Sequence, residues 1–542
     1  MKEVLVIGSG ISGLVSAIAC AENGNHVTLV SPYPSERSQS VMAAGGINAA
    51  LDTKGEGDSI QRHAEDTMKG GCDIADRRAV EGLCAAAPEI VRWLESIGTV
   101  FTRDEKGRID LRAFGGQSCR RTAYSGACTG KQIVTALVQE ARKFECANLI
   151  CRRQGLQFHS ALLEDDVCFG ALFYDEKARR MQVIYADAVV IATGGQNGLF
   201  GKTTGSLLCD GYAVGKLFRQ GAELKNLEFI QYHPTTIETP QKKMLITEAA
   251  RGEGGRLYYL DHDRRVYFME EKYGEKGNLM PRDIVSKCIY DAPSQVYLDI
   301  SFLGKRKISE RLSEVSELCS RYAGLDVTKE SIPVSPSVHF FMGGLSVNRN
   351  HRTTFMHLYA VGECASMYHG ANRLGGNSLL AAIYSAKTAA KAINDECAET
   401  SRPDFGSYLS EQERLIEKRL ASVSRFSAVY VKQEIAKIMH EDLGITRTEE
   451  KLKQGMESID YYLSVSDKLA FDSEISPYQG YSLKAMLTLA RAVLTCAEAR
   501  KETRGAHIRE DYPERREEYQ CSTVISNQKG EFSVNFIREE SK

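Results

Sequence analysis

The chain opens on alternating blocks of aliphatic and small residues. VLVIGSGISGLVSAIACAENGNHVTLVS, residues 4–31, reads as a buried strand, a glycine turn, a helix, a second turn at Gly24 and a second strand. ADAVVIATGG, from Ala186, predicts another buried strand that ends in Thr193, Gly194 and Gly195, and HLYAVGECAS, from His357, predicts a strand leading to Gly362 and Glu363. Between QYHPTT and FFMGGLSV the sequence becomes turn-rich and charged, as in DHDRRVYFMEEKYGEKGN, which marks an insertion. CAETSRPDFGS at 397–407 is a polar break suited to a linker. Beyond it, YLSEQERLIEKRLASVSRFSAVYVKQEIAKIMHEDLG and GYSLKAMLTLARAVLTCAEARKETRG carry helical apolar spacing, so a C-terminal helical region is expected. There is no internal repeat or low-complexity tract.

Composition narrows what these elements do. With 542 residues the chain has room for three or four structural units, since domains run to roughly 100–200 residues. Charge is nearly balanced, 69 basic against 71 acidic residues for a net of −2, which recommends neither a nucleic-acid nor an anionic-membrane surface. An anionic ligand has to be met by local arginines. No apolar run approaches the roughly 20 residues that span a bilayer, and MKEVLVIGSG is a strand running into a glycine loop in place of a secretory leader, so a cytoplasmic location is expected. The fifteen cysteines show no C-x-x-C or haem-attachment spacing, so free thiols in a reducing compartment are expected, without haem, cluster or structural metal.

The first turn carries the strongest chemistry. In G-x-G-x-x-G, Gly8 makes the tight turn, Gly10 admits a pyrophosphate and Gly13 lets helix pack on strand, with Ile11 and Ser12 opening the helix toward the phosphates. Ser31 stands at the end of the second strand, where an acid usually holds the ribose; its hydroxyl can take a ribose or phosphate bond, which weakens the case for NAD. RSQSVMAAGG, from Arg37, places Gln39 and Ser40 ahead of Ala43, Ala44, Gly45 and Gly46, small residues that let a backbone approach something flat.

These segments, with TKGEGDS, FIQYHPT, LITEAARGEGG, NLMPRDIVSK, HFFMGG and HGANRLGGNSLLAAIY, closely resemble the flavoprotein subunit of fumarate reductase and succinate dehydrogenase, from residue 1 to about residue 525. The resemblance implies an α/β fold: a Rossmann-like FAD-binding domain from residues 1–230 and 345–400, an inserted α+β capping domain at 231–344, and a C-terminal helical domain and tail at 408–542. FAD contacts are expected from Gly8, Gly10, Ile11, Ser12, Gly13, Ser31, Gln39, Ser40, Ala44, Gly45, Gly46, Thr193, Gly194, Glu363, Ser378 and Leu379. A dicarboxylate is expected between flavin and cap, held by His233, Thr247, His339 and Arg373, with Phe114 lying over it. In the family the arginine matching Arg282 gives a proton to one alkene carbon while flavin N5 gives a hydride to the other, and residues matching Glu248 and Arg251 reload it. Glu248 and Arg251 are three apart and share a face if LITEAARGEGG is helical, although an ordinary surface ion pair has the same spacing. Phe114 is equally compatible with a core position.

Two departures from the family pattern matter. In membrane-bound members a histidine joined covalently to the FAD 8α-methyl stands where this chain has Gln39; glutamine cannot form that link, so FAD is expected to be non-covalent. The link raises the flavin potential, so its absence favours fumarate reduction over succinate oxidation. Tyr212 stands where many members place an acid that contacts FAD, so no contact is expected from it. The resemblance also implies an iron–sulphur protein partner and, through it, a membrane anchor or soluble electron donor, with the chain peripheral on the cytoplasmic face. Alternatives are a free-standing enzyme like L-aspartate oxidase, a flavoprotein working in the succinate dehydrogenase direction, and a non-catalytic flavin-binding protein. FGGQSCRRTAYSGACTG resembles the respiratory subunits and lacks the glutamate-bearing stretch of aspartate oxidases, and intact Arg282, Arg373, His233, His339 and Glu248 speak against a non-catalytic role.

Overall fold

The computed structural model describes residues 1–126, 128–240, 242–396, 402–420, 427–469 and 477–539. A five-stranded parallel sheet forms its base, in the order Leu358–Ala360, Ala188–Ile191, Glu3–Ile7, His26–Ser31, Ile150–Gln154. Three segments far apart in sequence thus meet at its centre. Val4, Leu5, Val6 and Ile7 are all buried, as a strand covered on both faces requires. The helices Ile11–Glu22 and Asn377–Glu396 pack against each other over this sheet. The turn into the first helix tolerates only glycine at two positions. Gly8 has φ +113°, and a Cβ there would lie 2.2 Å from the Ala192 oxygen; a Cβ on Gly13 would lie 1.8 Å from the Gly8 oxygen.

The insertion builds a second apolar core. Its members run from Ile237 to Val334, and none belongs to the first core. They surround a six-stranded antiparallel sheet in the order Lys243–Leu245, Ile230–Glu238, Ile332–Phe341, Val296–Asp299, Arg256–Asp261, Arg264–Val266. Its two long strands, Ile230–Glu238 and Ile332–Phe341, carry the chain in and out, so residues at their roots stand beside the parallel sheet.

The expected C-terminal helical domain is present, and its tail adds strands that were not expected. The helices Gly406–Leu420, Ala428–Ile438, Glu449–Val465 and Pro477–Ala499 are present. Of the polar break expected at 397–407, residues 397–401 lie outside the described residues. Residues Ser522–Gln528 and Glu531–Ile537, however, form a hairpin that extends the sheet containing Leu224–Lys225, Gly344–Ser346 and Ala365–Ser366. The reason is local: EFSVNFI alternates, STVISNQ carries the β-branched run Thr523, Val524 and Ile525, and the turn between them holds Lys529 at φ 55° and Gly530 at φ 102°. The hairpin is anchored by Phe532, edge-on to Phe218 with ring centroids 5.1 Å apart. Among the described residues no helix is long and apolar enough to cross a membrane.

Candidate active site

A cavity of about 990 Å³ lies outside the carboxyl ends of the parallel strands, where open α/β sheets bind their ligands. Its volume is at the upper end of small-molecule sites. The expected cofactor residues Gly8, Gly10, Ile11, Ser12, Ser31, Gln39, Ser40, Ala44, Gly45, Gly46, Thr193, Gly194, Glu363, Ser378 and Leu379 all line it. Gly13 does not; it is spent on the close packing of helix against strand. Ser40 Oγ accepts a hydrogen bond from the Ile11 amide at 3.2 Å, tying the small-residue loop to the helix N-terminus. The Ser31 hydroxyl donates to the Tyr33 carbonyl at 2.7 Å, so its oxygen is left to accept from a ligand. Gln39 begins a short 3-10 turn, Gln39–Met42, and sits half-buried on the wall. Phe114 is a wall and a core residue at once: a methyl added to Gly45 would meet its ring at 3.1 Å, as would one added to Gly375.

The insertion, with the segment before Asn377–Glu396, supplies the charged end of the cavity. His233, Thr247, Glu248, Arg282, His339 and Arg373 line it together. Arg282 opens the helix Arg282–Tyr290 and donates through Nε and Nη2 to Glu248 Oε2, at 3.0 and 2.8 Å. The Gly115 amide donates to Glu248 Oε1 at 2.8 Å, and Arg251 Nη2 lies 3.5 Å from the same oxygen. Glu248 and Arg251 are 2 % and 1 % exposed, so this is no surface ion pair. The stretch is only a four-residue helix, Ala249–Gly252, with Glu248 as its N-cap; Arg251 lies behind Glu248, off the cavity wall, and Nη1 donates to the Asn278 carbonyl at 2.6 Å. Burial pushes the Glu248 carboxyl up, but the charges of Arg282 and Arg251 and the bonds from Arg282 and Gly115 outweigh it and hold the group ionised.

Gln231 sits where the arginines converge. Its Oε1 accepts from Arg282 Nη1 at 2.9 Å and from Arg373 Nη2 at 3.0 Å, while its Nε2 donates to Asn372 Oδ1 and the Arg373 carbonyl at 2.7 and 2.8 Å. Arg373 also lies over the Phe340 ring, 4.0 Å from its centroid, and its buried Nε has no partner among the described residues. Burial, then the Arg282 charge, pull the Arg373 guanidinium well below its usual range. His233 and His339 stand edge-to-face with centroids 5.2 Å apart, and Thr204 Oγ1 lies 2.8 Å from His339 Nδ1. Burial, followed by Arg282, drives both imidazoles well below 6.5, so they are neutral polar groups. Thr247 Oγ1 accepts from the Ala249 amide at 3.3 Å. Glu363 accepts from the Phe341 amide at 3.1 Å, and burial raises its carboxyl to about 7 against that bond and the Arg373 charge.

The FAD binding domain family matches residues 3–379, and the fumarate reductase flavoprotein C-terminal family matches residues 432–540. The succinate dehydrogenase flavoprotein subunit of Bacillus subtilis (strain 168) is 36% identical over 97% of this chain and 94% of its own length. The chain belongs to the fumarate reductase and succinate dehydrogenase flavoprotein family. One of the subunits of the CoM/CoB fumarate reductase of Methanothermobacter marburgensis is 34% identical, over 97% of each chain. The solved E. coli quinol fumarate reductase flavoprotein superposes with a TM-score of 0.89 at 28% identity, covering 100% of this chain and 97% of its own. This flavoprotein is an oxidoreductase with FAD as its cofactor. The Gly8–Gly13 turn, the small-residue loop and the long cavity fit that dinucleotide.

Three residues on this wall or behind it escape a reading of the sequence. Gln231 and Asn372 lie inside the recognised motifs FIQYHPT and HGANRLGG, but carry no charge to mark them. Asp210, two residues before Tyr212, lines the cavity and accepts from the Tyr212 amide at 3.0 Å, while the Tyr212 hydroxyl donates to the His159 carbonyl at 2.7 Å. An acid thus stands on the wall two residues before Tyr212, and Tyr212, from which no contact was expected, lines the cavity as well. An Asp-Gly pair at a helix start was the available sign, with Gly211 at φ +74°.

Proposed function

We propose that this chain reduces fumarate to succinate, with FAD held by contacts alone and electrons supplied through an iron–sulphur protein partner. The observation that carries the reading is that two guanidinium groups, Arg282 and Arg373, share one neutral acceptor, Gln231 Oε1, at a cavity wall. Glu248 is the one ionised carboxylate bonded to this pair and Arg251 stands beside it as well, so the cluster of Arg251, Arg282 and Arg373 is in deficit of negative charge, which a dicarboxylate makes good. FAD, when bound, supplies a hydride to one alkene carbon. Residues 231–344 serve as the cap that brings His233, Thr247, Arg282 and His339 over the substrate. Arg373, His233, Thr247 and His339 hold its carboxylates, and Phe114 confines its plane.

Arg282 delivers the proton to the other alkene carbon. Arginine is an unusual acid, but a desolvated guanidinium facing a developing carbanion need transfer its proton only in the transition state. Glu248, bonded to both Nε and Nη2 of Arg282, is positioned to return a proton, and Arg251 stands behind it as the next member of the relay. The glutamine at position 39 supports the non-covalent part of the reading and the reductive direction. Relatives named as subunits support the partner. The test is turnover with an artificial low-potential donor: fumarate should be reduced far faster than crotonate, and comparable rates would overturn the dicarboxylate reading.

A further inference from the structure

A second cavity, of about 180 Å³, opens where the segments 249–253 and 311 meet the hairpin around Leu111 and Tyr124. Four cations and two carboxylates line it, Lys54, Arg112, Arg120 and Arg311 against Asp110 and Glu253. Two of these charges are matched by partners off the cavity wall: Arg120 pairs with Glu56 at 2.6 Å, and Glu253 lies 3.5 Å from Lys307. Lys54 and Arg311 both bond Asp110, Arg311 at 3.0 Å, and the Tyr124 hydroxyl donates to it at 2.5 Å. Burial raises that carboxyl, yet the bonds from Lys54, Tyr124 and Arg311 outweigh it and hold it at about 2. Three cations are left against one carboxylate.

Arg112 is the cation left over. It is 8 % exposed, its guanidinium lies 3.6 Å from the centroid of the Tyr124 ring, and its Nε and Nη1 have no hydrogen-bond partner among the described residues. Stacking covers the face of a guanidinium but does nothing for the donors in its plane, and buried donors without partners are rare in folded proteins. Glu314, whose carboxyl feels the Arg112 charge, does not bond it, and burial outweighs that charge and raises the Glu314 carboxyl.

We propose that this cavity is a second anion site, taking a small oxyanion, a phosphate or a carboxylate, on Arg112, Lys54 and Arg311. The anion would join the hairpin to the segment that follows Glu248, bracing the short helix that carries Arg251. The reading is independent of the substrate and of the direction of the reaction.

Thermal unfolding of the FAD-loaded protein tests it, with phosphate replacing chloride at constant ionic strength and acetate in a parallel arm. A saturable rise in Tm is expected, and the anion with the lower half-saturating concentration identifies the source. Arg112→Gln should raise that concentration at least fivefold. Arg311→Gln should do the same and decides the matter where Arg112→Gln does not fold. No saturable rise with either anion would overturn the proposal, and so would half-saturation unchanged in the variants, as binding at Arg282 and Arg373 would give.

Discussion

Gln231→Glu exchanges the neutral acceptor shared by Arg282 and Arg373 for a carboxylate of the same shape. The new charge sits where the proposed substrate brings its own. A substrate carboxylate on the same two guanidinium groups lies within about 5 Å of it, and two unit charges at about 5 Å in an effective dielectric of about 20 repel by about 3 kcal/mol. That is roughly a hundredfold loss of fumarate affinity. The second carboxylate oxygen also meets Asn372 Oδ1 and the Arg373 carbonyl, now acceptor against acceptor, which costs about 1–3 kcal/mol of stability. Attraction to the two arginines opposes that cost, so the variant should fold and retain FAD, which its visible spectrum checks. Gln231→Leu is the control, because it removes the acceptor without adding a charge and should lower kcat through a misplaced Arg282 while leaving KM within a few-fold. Steady-state fumarate reduction with an artificial donor separates the two. A Gln231→Glu enzyme whose KM stays within threefold of the parent would refute the charge-deficit argument.

Arg282→Lys or Arg282→Gln should lower kcat by about 10²–10⁴, the range of a lost general acid, with little change in KM, whereas Arg373→Ala should damage KM as well; ordinary turnover without Arg282 would rule out the proton-donor role. Acid precipitation should release yellow FAD into the supernatant, and succinate should bleach the bound flavin only weakly; flavin that stays with the denatured chain, or succinate oxidised as fast as fumarate is reduced, would contradict the reading of Gln39. Stability should fall in acid because buried histidines refuse protons: burial lowers His63 and His351 to about 4 and His369 to about 3, against about 6.5 in the unfolded chain. The unfolded state binds more protons below pH 6.5, so this stability is complete above 6.5 and is lost as pH falls toward 4. For His63 alone the full loss is about 3 kcal/mol, of which about 2 kcal/mol falls between pH 7 and pH 5. In His63→Gln the acid decline measured by urea unfolding at those two pH values should be shallower by that smaller amount.

How far the sequence could be read depends on whether a residue's role is local. The first βαβ unit is legible because aliphatic runs and the Gly8 and Gly13 contacts are determined within a few residues. The arginines were legible through their motifs. Gln231 was not, because its role comes from the strand that carries it beside Arg373, 142 residues away, and an amide within a strand has no local mark. Arg251 shows what spacing alone leaves open: three residues from Glu248 suits a relay or an ordinary ion pair, and only packing against Gly115 and Asn278 buries it. The terminal hairpin was readable in principle, since a β-branched run, a Lys-Gly turn and an alternating second strand lie within sixteen residues, Ser522 to Ile537. Helical spacing upstream obscured it.

The charge arithmetic of the site follows from the same packing. A chain with a net charge of −2 nevertheless buries Arg251, Arg282 and Arg373 together. Glu248 faces two of them: it accepts two bonds from Arg282 and one from the Gly115 amide, while Arg251 stands at ion-pair distance, 3.5 Å, with its buried Nε and Nη2 unbonded among the described residues. Arg373 is left with a neutral amide, an aromatic face and an Nε without a partner among the described residues. Glu363 relieves it only in part, because burial raises that carboxyl to about 7 and leaves it about half ionised at neutral pH. Leaving a buried guanidinium underpaired costs folding stability, and a hydrophobic replacement would remove that cost. Its retention makes sense where the missing charge arrives with the ligand. On the proposed function, selectivity for two carboxylates would come from a deficit spread over Arg282, Gln231 and Arg373, and a monocarboxylate would leave part of that deficit in place.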